Sequence, residues 1–122
     1  MVEGAEDAFV IVDSNERICF VNPRGCGMFG YDAGDLIGQP LAVLLPERFR
    51  PAHGGLFGGF RDGGERSKRM EGRGDIWGMR RDGSEFPARA SIVKLNEGDH
   101  KLIVAIVRDA SEEYELHREL EN

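Results

Sequence analysis

The stretch RRDGSEFPARASI, residues 80–92, changes character half-way along. Arg80-Arg81-Asp82-Gly83 reads as a turn, because Asp and Gly tolerate the positive φ that a tight type I′ hairpin requires. From Glu85 the pattern alternates: Phe86, Ala88, Ala90 and Ile92 fall on one side, and Pro87, Arg89, Ser91 and then Val93 on the other. That period of two predicts a half-buried strand over residues 85–95 whose first set faces a core. A hairpin needs a strand on its other side, and residues 75–79 supply it. A second turn, Asn96-Glu97-Gly98-Asp99, leads into the apolar residues 101–107, so three consecutive antiparallel strands follow from this region.

Working outward to the N-terminus, residues 8–12 and 17–21 read as two short strands around the polar turn Asp13-Ser14-Asn15-Glu16. Asn22-Pro23 stops the second strand, and Pro23 suits the first position of a short helix ended by Gly30. Over residues 32–60 the apolar spacing becomes helical, punctuated by Gly38, Pro40 and Pro46, which predicts several short helices. Residues 61–72 are rich in glycine and charge, carry no periodicity and read as an exposed loop. The sum is an α+β domain: a five-stranded antiparallel sheet with short helices on one face and a C-terminal exit helix.

The 122 residues suffice for one domain with one core, and the formal net charge of -6 argues against nucleic-acid binding. Leu102 to Val107 is the longest apolar run, far below the roughly 20 residues that span a bilayer, so no membrane insertion by this domain is expected. Cys19 and Cys26 have no third or fourth partner for a zinc knuckle and read as reduced core residues in a cytoplasmic setting.

Four segments, AEDAFVIVDSNERICFVNPRGCGMFGY (5–31), DLIGQPLAVLLPERF (35–49), RRDGSEFPARASI (80–92) and IVRDASEE (106–113), resemble a PAS domain in order and interval. The resemblance covers nearly the whole chain. It implies a small sensory module, itself not an enzyme, in which a sheet cupped by short helices holds a ligand or cofactor. A C-terminal helix would pass any change to an output domain such as a histidine kinase, a cyclic-dinucleotide enzyme or a transcription regulator.

A pocket can be drawn from the residues. In RFRPAHGGLFGGF (48–60) His53, Leu56, Phe57 and Phe60 share one helical face, while four glycines each cost the helix about 1 kcal/mol, so contacts must hold it. Opposite would lie Phe86, Ala88, Ala90 and Ile92, with Gly74, Ile76 and Gly78 inward on the preceding strand. Small residues there leave volume that either large neighbours or a small-molecule ligand fills. ERFRPAH also resembles haem-binding, oxygen-sensing PAS domains, in which a histidine at the position of His53 coordinates iron. That branch carries an arginine where this chain has Gly74 and a bulky aliphatic residue where it has Ala90. No metal is otherwise expected, and the cofactor stays open between none, haem and another ligand.

The chain divides into a sensor over residues 1–108 and the start of a signalling helix or linker over 109–122. Asp109 and Glu112 have the spacing of a capping box, and Leu116 and Leu120 share a face beyond it. No G-x-S-x-G elbow and no phosphate loop is present, so no catalytic residue is assigned. Three functions remain: a PAS module that senses a small molecule in its core, a ligand-free PAS dimerisation module, and a haem-based gas or redox sensor. A homodimer and a covalently linked output domain are the expected partners.

Overall fold

The computed structural model describes residues 7–50, 59, 62–63, 67–70, 76–97, 100–112, 115–116 and 120, with the backbone alone described at 67–70, 96–97 and 100. Six strands form one antiparallel sheet: β1 (Ala8–Val12), β2 (Ile18–Val21), β3 (Ser67–Met70), β4 (Trp77–Met79), β5 (Glu85–Glu97) and β6 (His100–Asp109). Five lie in the order β2-β1-β6-β5-β3, and β4 pairs with the beginning of β5. Between β2 and β3 come α1 (Pro23–Phe29), α2 (Ala33–Leu36) and 3₁₀ helices at Leu41–Leu44 and Glu47–Phe49.

The β1–β2 turn is built by Asp13, whose Oδ1 accepts from the Asn15 and Arg17 amides, while Glu16 takes a positive φ. Arg17, expected as the first residue of β2, instead bridges to Pro40 just outside it. Asn22 then does more than stop the strand. It is completely buried; its Oδ1 accepts from Gly25 N and Phe9 N, and its Nδ2 donates to the Asp7 carbonyl. It thus caps α1 with Pro23 at the first position and ties that helix to β1; Gly30, at φ 79, ends α1 in the left-handed region.

Hydrophobic alternation fills the core. Ala8, Val10 and Val12 of β1, Ile18 and Val21 of β2, Ile103 and Ala105 of β6 and Phe86 of β5 point inward, where Met28, Phe29, Leu36 and Leu44 cover them. The register sets the outer face as well. Phe20, Ile11, Val104 and Val93 form one row across β2, β1, β6 and β5; Phe9, Ile106 and Ser91 form the next, and Leu102 opposes Leu95 in a third. None of these joins the core.

Several expectations change. Residues 61–72, read as a loop, contain β3, whose SKRM sequence has no apolar alternation and pairs because β5 offers a free edge from Ala90 to Val93. Met79 ends β4 as expected, but its pairing begins at Trp77, and Asp75 lies outside the described residues. β5 and β6 run on to Glu97 and back from His100, which shortens the turn expected over residues 96–99. At the β4–β5 turn only Gly83 has a positive φ, so the geometry is not type I′. Instead Gly83 N donates to Arg80 O and Arg80 N to Ser84 O, a longer loop that Asp82 closes by accepting from the Ser84 amide and hydroxyl. Cys19 is exposed rather than part of the core, while Cys26 packs against it.

Candidate functional site

The inner face of β5 is the floor of the expected site. Phe86 is fully buried and meets Phe29 with ring centroids 5.4 Å apart, and this pair closes one end. Gly78 makes that possible, since a Cβ there would lie 2.6 Å from Phe86 Cζ and 3.1 Å from Phe29. Beyond Phe86 the floor drops. Ala88 stands opposite Asp109, Ala90 opposite Val107 and Ile92 opposite Ala105, all half-buried or buried. Ile76 is half-buried at the rim, and its carbonyl accepts from Ala88 N at 2.9 Å. His53, Leu56, Phe57, Phe60 and Gly74 lie outside the described residues.

Two arginines fix the chain where it approaches residue 51. Arg48 makes a bidentate pair with Glu85, Nη1 to Oε2 at 2.9 Å and Nη2 to Oε1 at 2.8 Å, with its guanidinium over the Phe49 ring. Arg50 Nε donates to the Ala42 and Leu45 carbonyls. The Arg48 hydrogen bonds hold the Glu85 carboxyl below the ordinary carboxylate range, and Arg48 is raised in turn. The start of β5 is therefore coupled to the segment leading toward His53.

The other end of the floor leads out of the domain. Arg80 lies 4.3 Å over the Phe86 ring and pairs with Asp109 at 3.2 Å. Asp109 Oδ1 accepts from the Ser111 amide, and Ala110 N donates to Pro87 O. Asp109 ends β6 and grips Ser111, two residues on, which replaces the expected capping box with Glu112; Glu112 is exposed. Residues 111–112, 115–116 and 120 have helical backbone, with Leu116 58% and Leu120 77% exposed. Sequence reasoning missed Arg80, whose role is set by contacts across 29 residues; a basic residue beside a tight turn was the one signal. Among the described residues no group of three or more His, Cys, Asp or Glu could hold a metal.

A profile of the PAS domain matches residues 6–112. The chain belongs to the PAS-domain family. This PAS domain is 31% identical over 105 residues to the oxygen sensor protein DosP of Escherichia coli, covering 85% of the chain and 13% of that protein. It is 28% identical over 115 residues to the sensor protein FixL of Bradyrhizobium diazoefficiens, covering 94% of the chain and 23% of that protein. The chain thus spans less than a quarter of either relative. Its fold resembles the PAS domain of an HTR-like protein from Haloarcula marismortui, with TM-score 0.74 and 24% identity over 88% of this chain and 84% of that one. A domain of a sensory box sensor histidine kinase/response regulator from Geobacter sulfurreducens gives TM-score 0.71 at 24% identity, over 88% and 87%. This PAS domain is a sensory module of the kind that sits within larger signalling proteins. Among its described residues no helix is long and apolar enough to cross a membrane.

Proposed function

We propose that this domain senses a small molecule bound between the inner face of β5 and the segment carrying His53, Leu56, Phe57 and Phe60, and passes the change to a linked output domain. The observation that carries the reading is the run Ala88, Ala90 and Ala105 on a floor that Phe86 and Ile92 otherwise fill. Small side chains on an apolar face leave room for a ligand beneath whatever segment covers it. A change at the floor reaches the exit through Phe86, Arg80 and Asp109, since the guanidinium rests on the ring and pairs with the carboxylate beside Ser111. Residues 1–108 are the sensor, and 109–122, with Asp109, Glu112, Leu116 and Leu120, begin the connection to the output. The domain works as a homodimer in the cytoplasm, and the chemistry of the whole protein belongs to its output domain.

Haem is the second reading, favoured by the identity to an oxygen sensor protein and by the ERFRPAH segment. The apolar floor suits a flat macrocycle; His53 would hold the iron, and bound haem would supply a redox-active, gas-binding centre. Absorption spectra of the purified domain, with and without added haemin, test it against His53→Ala. A Soret band that this substitution removes establishes the haem reading. Without one, native mass spectrometry decides between another small ligand, which upholds the principal proposal, and a ligand-free dimerisation module, which overturns it.

A further inference from the structure

We infer that the Asp82–Gly83 step is a site of spontaneous isoaspartate formation that the β4–β5 turn holds in check, with Ser84 as its guard. Neither a ligand nor a dimer is needed for it. Asp followed by Gly is open to this chemistry because glycine has no Cβ to keep its amide nitrogen away from the preceding carboxyl. Gly83 N attacks Cγ of the Asp82 carboxylic acid: the N–Cγ bond forms, the Cγ–O bond breaks, and the proton of the nitrogen leaves with the hydroxyl as water. Water then opens the succinimide ring. Where it breaks the bond from Gly83 N to the main-chain carbonyl carbon of Asp82, the backbone afterwards runs through Cβ and Cγ, and the carboxylate is left on Cα.

The turn presents this step to water, since residues 81–85 are all exposed, yet it ties up both reacting groups. Gly83 N donates to Arg80 O at 2.9 Å, and Arg80 N donates to Ser84 O at 2.8 Å, which closes the loop around it. Asp82 Oδ1 accepts from Ser84 N at 2.9 Å and from Ser84 Oγ at 2.6 Å. Cyclisation requires the carboxyl to leave Ser84 and the Gly83 amide to leave Arg80. The Ser84 bonds, that of the hydroxyl above all, also hold the Asp82 carboxyl below the ordinary carboxylate range, whereas the reacting species is the neutral acid. The reaction therefore passes through a local opening of the turn.

The place of the modification gives it a consequence. An isoaspartate lengthens the backbone by one atom directly after two arginines that join the turn to the rest of the domain. Arg80 pairs with Asp109 at the end of β6, and Arg81 donates its amide to Phe29 O and its guanidinium to Asp35. The displaced carboxylate no longer reaches Ser84 in the same geometry, so the loop loses its closure. The modification thus acts on the exit from the sheet through the Arg80–Asp109 pair.

The test is to age the chain for weeks at about pH 6, where some neutral acid remains, beside a synthetic peptide of residues 78–89. Tryptic mapping with electron-transfer fragmentation reads the isoaspartate; cleavage after Arg81 separates Asp82-Gly83 from the other Asp-Gly step, Asp62-Gly63. The folded chain should form isoaspartate at Asp82 at least about tenfold more slowly than the peptide, because hydrogen bonds to a charged group must break first. Ser84→Ala should raise the rate in the chain several-fold while far-ultraviolet circular dichroism stays native. Ser84→Thr, which keeps the hydroxyl, should stay near the wild type, and so should Asn22→Ala, which weakens the fold at the start of α1. The purified isoaspartate form should exchange the amides of Ala110 and Ser111 several-fold faster. A peptide that forms no isoaspartate overturns the site, and a chain that ages as fast as the peptide overturns the protection. A rate that Ser84→Ala leaves unchanged, or that Asn22→Ala raises equally, overturns the role of Ser84. Unchanged exchange at Ala110 and Ser111 overturns the effect on the exit.

Discussion

Truncating Asn22 to alanine removes three hydrogen bonds at once, those to Phe9 N, Gly25 N and Asp7 O, from a position with no access to water. Loss of an N-cap costs about 1 kcal/mol and stranded backbone groups add to it, so Asn22→Ala should lose about 2–3 kcal/mol in urea unfolding. Gly78→Ala should cost about 1–3 kcal/mol by the same measurement, because its Cβ must displace the Phe86 ring. Glu85 makes a prediction about pH. Its carboxyl is depressed in the folded state by Arg48, so its contribution is present above the unfolded carboxylate pKa and fades as pH falls through the folded value. Arg48→Gln should therefore lower stability slightly at neutral pH, leave it nearly unchanged in acid below the folded-state value, and so flatten the fall in stability that begins below about pH 4.5, read as urea unfolding against pH. The importance of Asn22 was half legible, since Asn followed by Pro marks a helix start; its buried contacts to Phe9 and Asp7 depend on a strand pairing that no local pattern states.

At the scale of elements the β4–β5 turn joins otherwise separate parts. Arg81 N donates to Phe29 O and its guanidinium pairs with Asp35 of α2, Arg80 pairs with Asp109, and Glu85 closes on Arg48. Asp109→Asn should weaken the Arg80 pair and speed amide exchange at Ala110 and Ser111 several-fold, read by hydrogen exchange, with β1 unaffected. The strands β1, β5 and β6 were readable because one face of each is buried and the period of two survives; β2, in which Ile18 and Val21 are buried and Cys19 and Phe20 exposed, was readable from the polar turn before it and Asn22-Pro23 after it. β3 was not, because SKRM owes its extended form to the edge of β5. The Asp-Gly signal found the hairpin but not its loop: hydrogen bonds from Ser84 to Asp82 favour a wider turn with Gly83 alone in the left-handed region. The floor of the candidate site was legible down to Ala88, Ala90 and Ile92, because alternation alone assigns a face.

For the whole molecule the sheet order has a mechanical side. Its first and last strands are neighbours, with Ala8 opposite Val107 and Val12 opposite Ile103. The backbone therefore enters and leaves at one edge of the domain, a strand spacing apart, and Asp7 and Arg108 clasp each other there. A pull applied between the two connections does not shear the β1–β6 ladder; it unzips it, one rung after another, starting at Ala8. Such a domain yields to small tension at its own doorway while the floor on β5 stays assembled, so a linked module that strains the connection feels a soft spring in series with a rigid sensor.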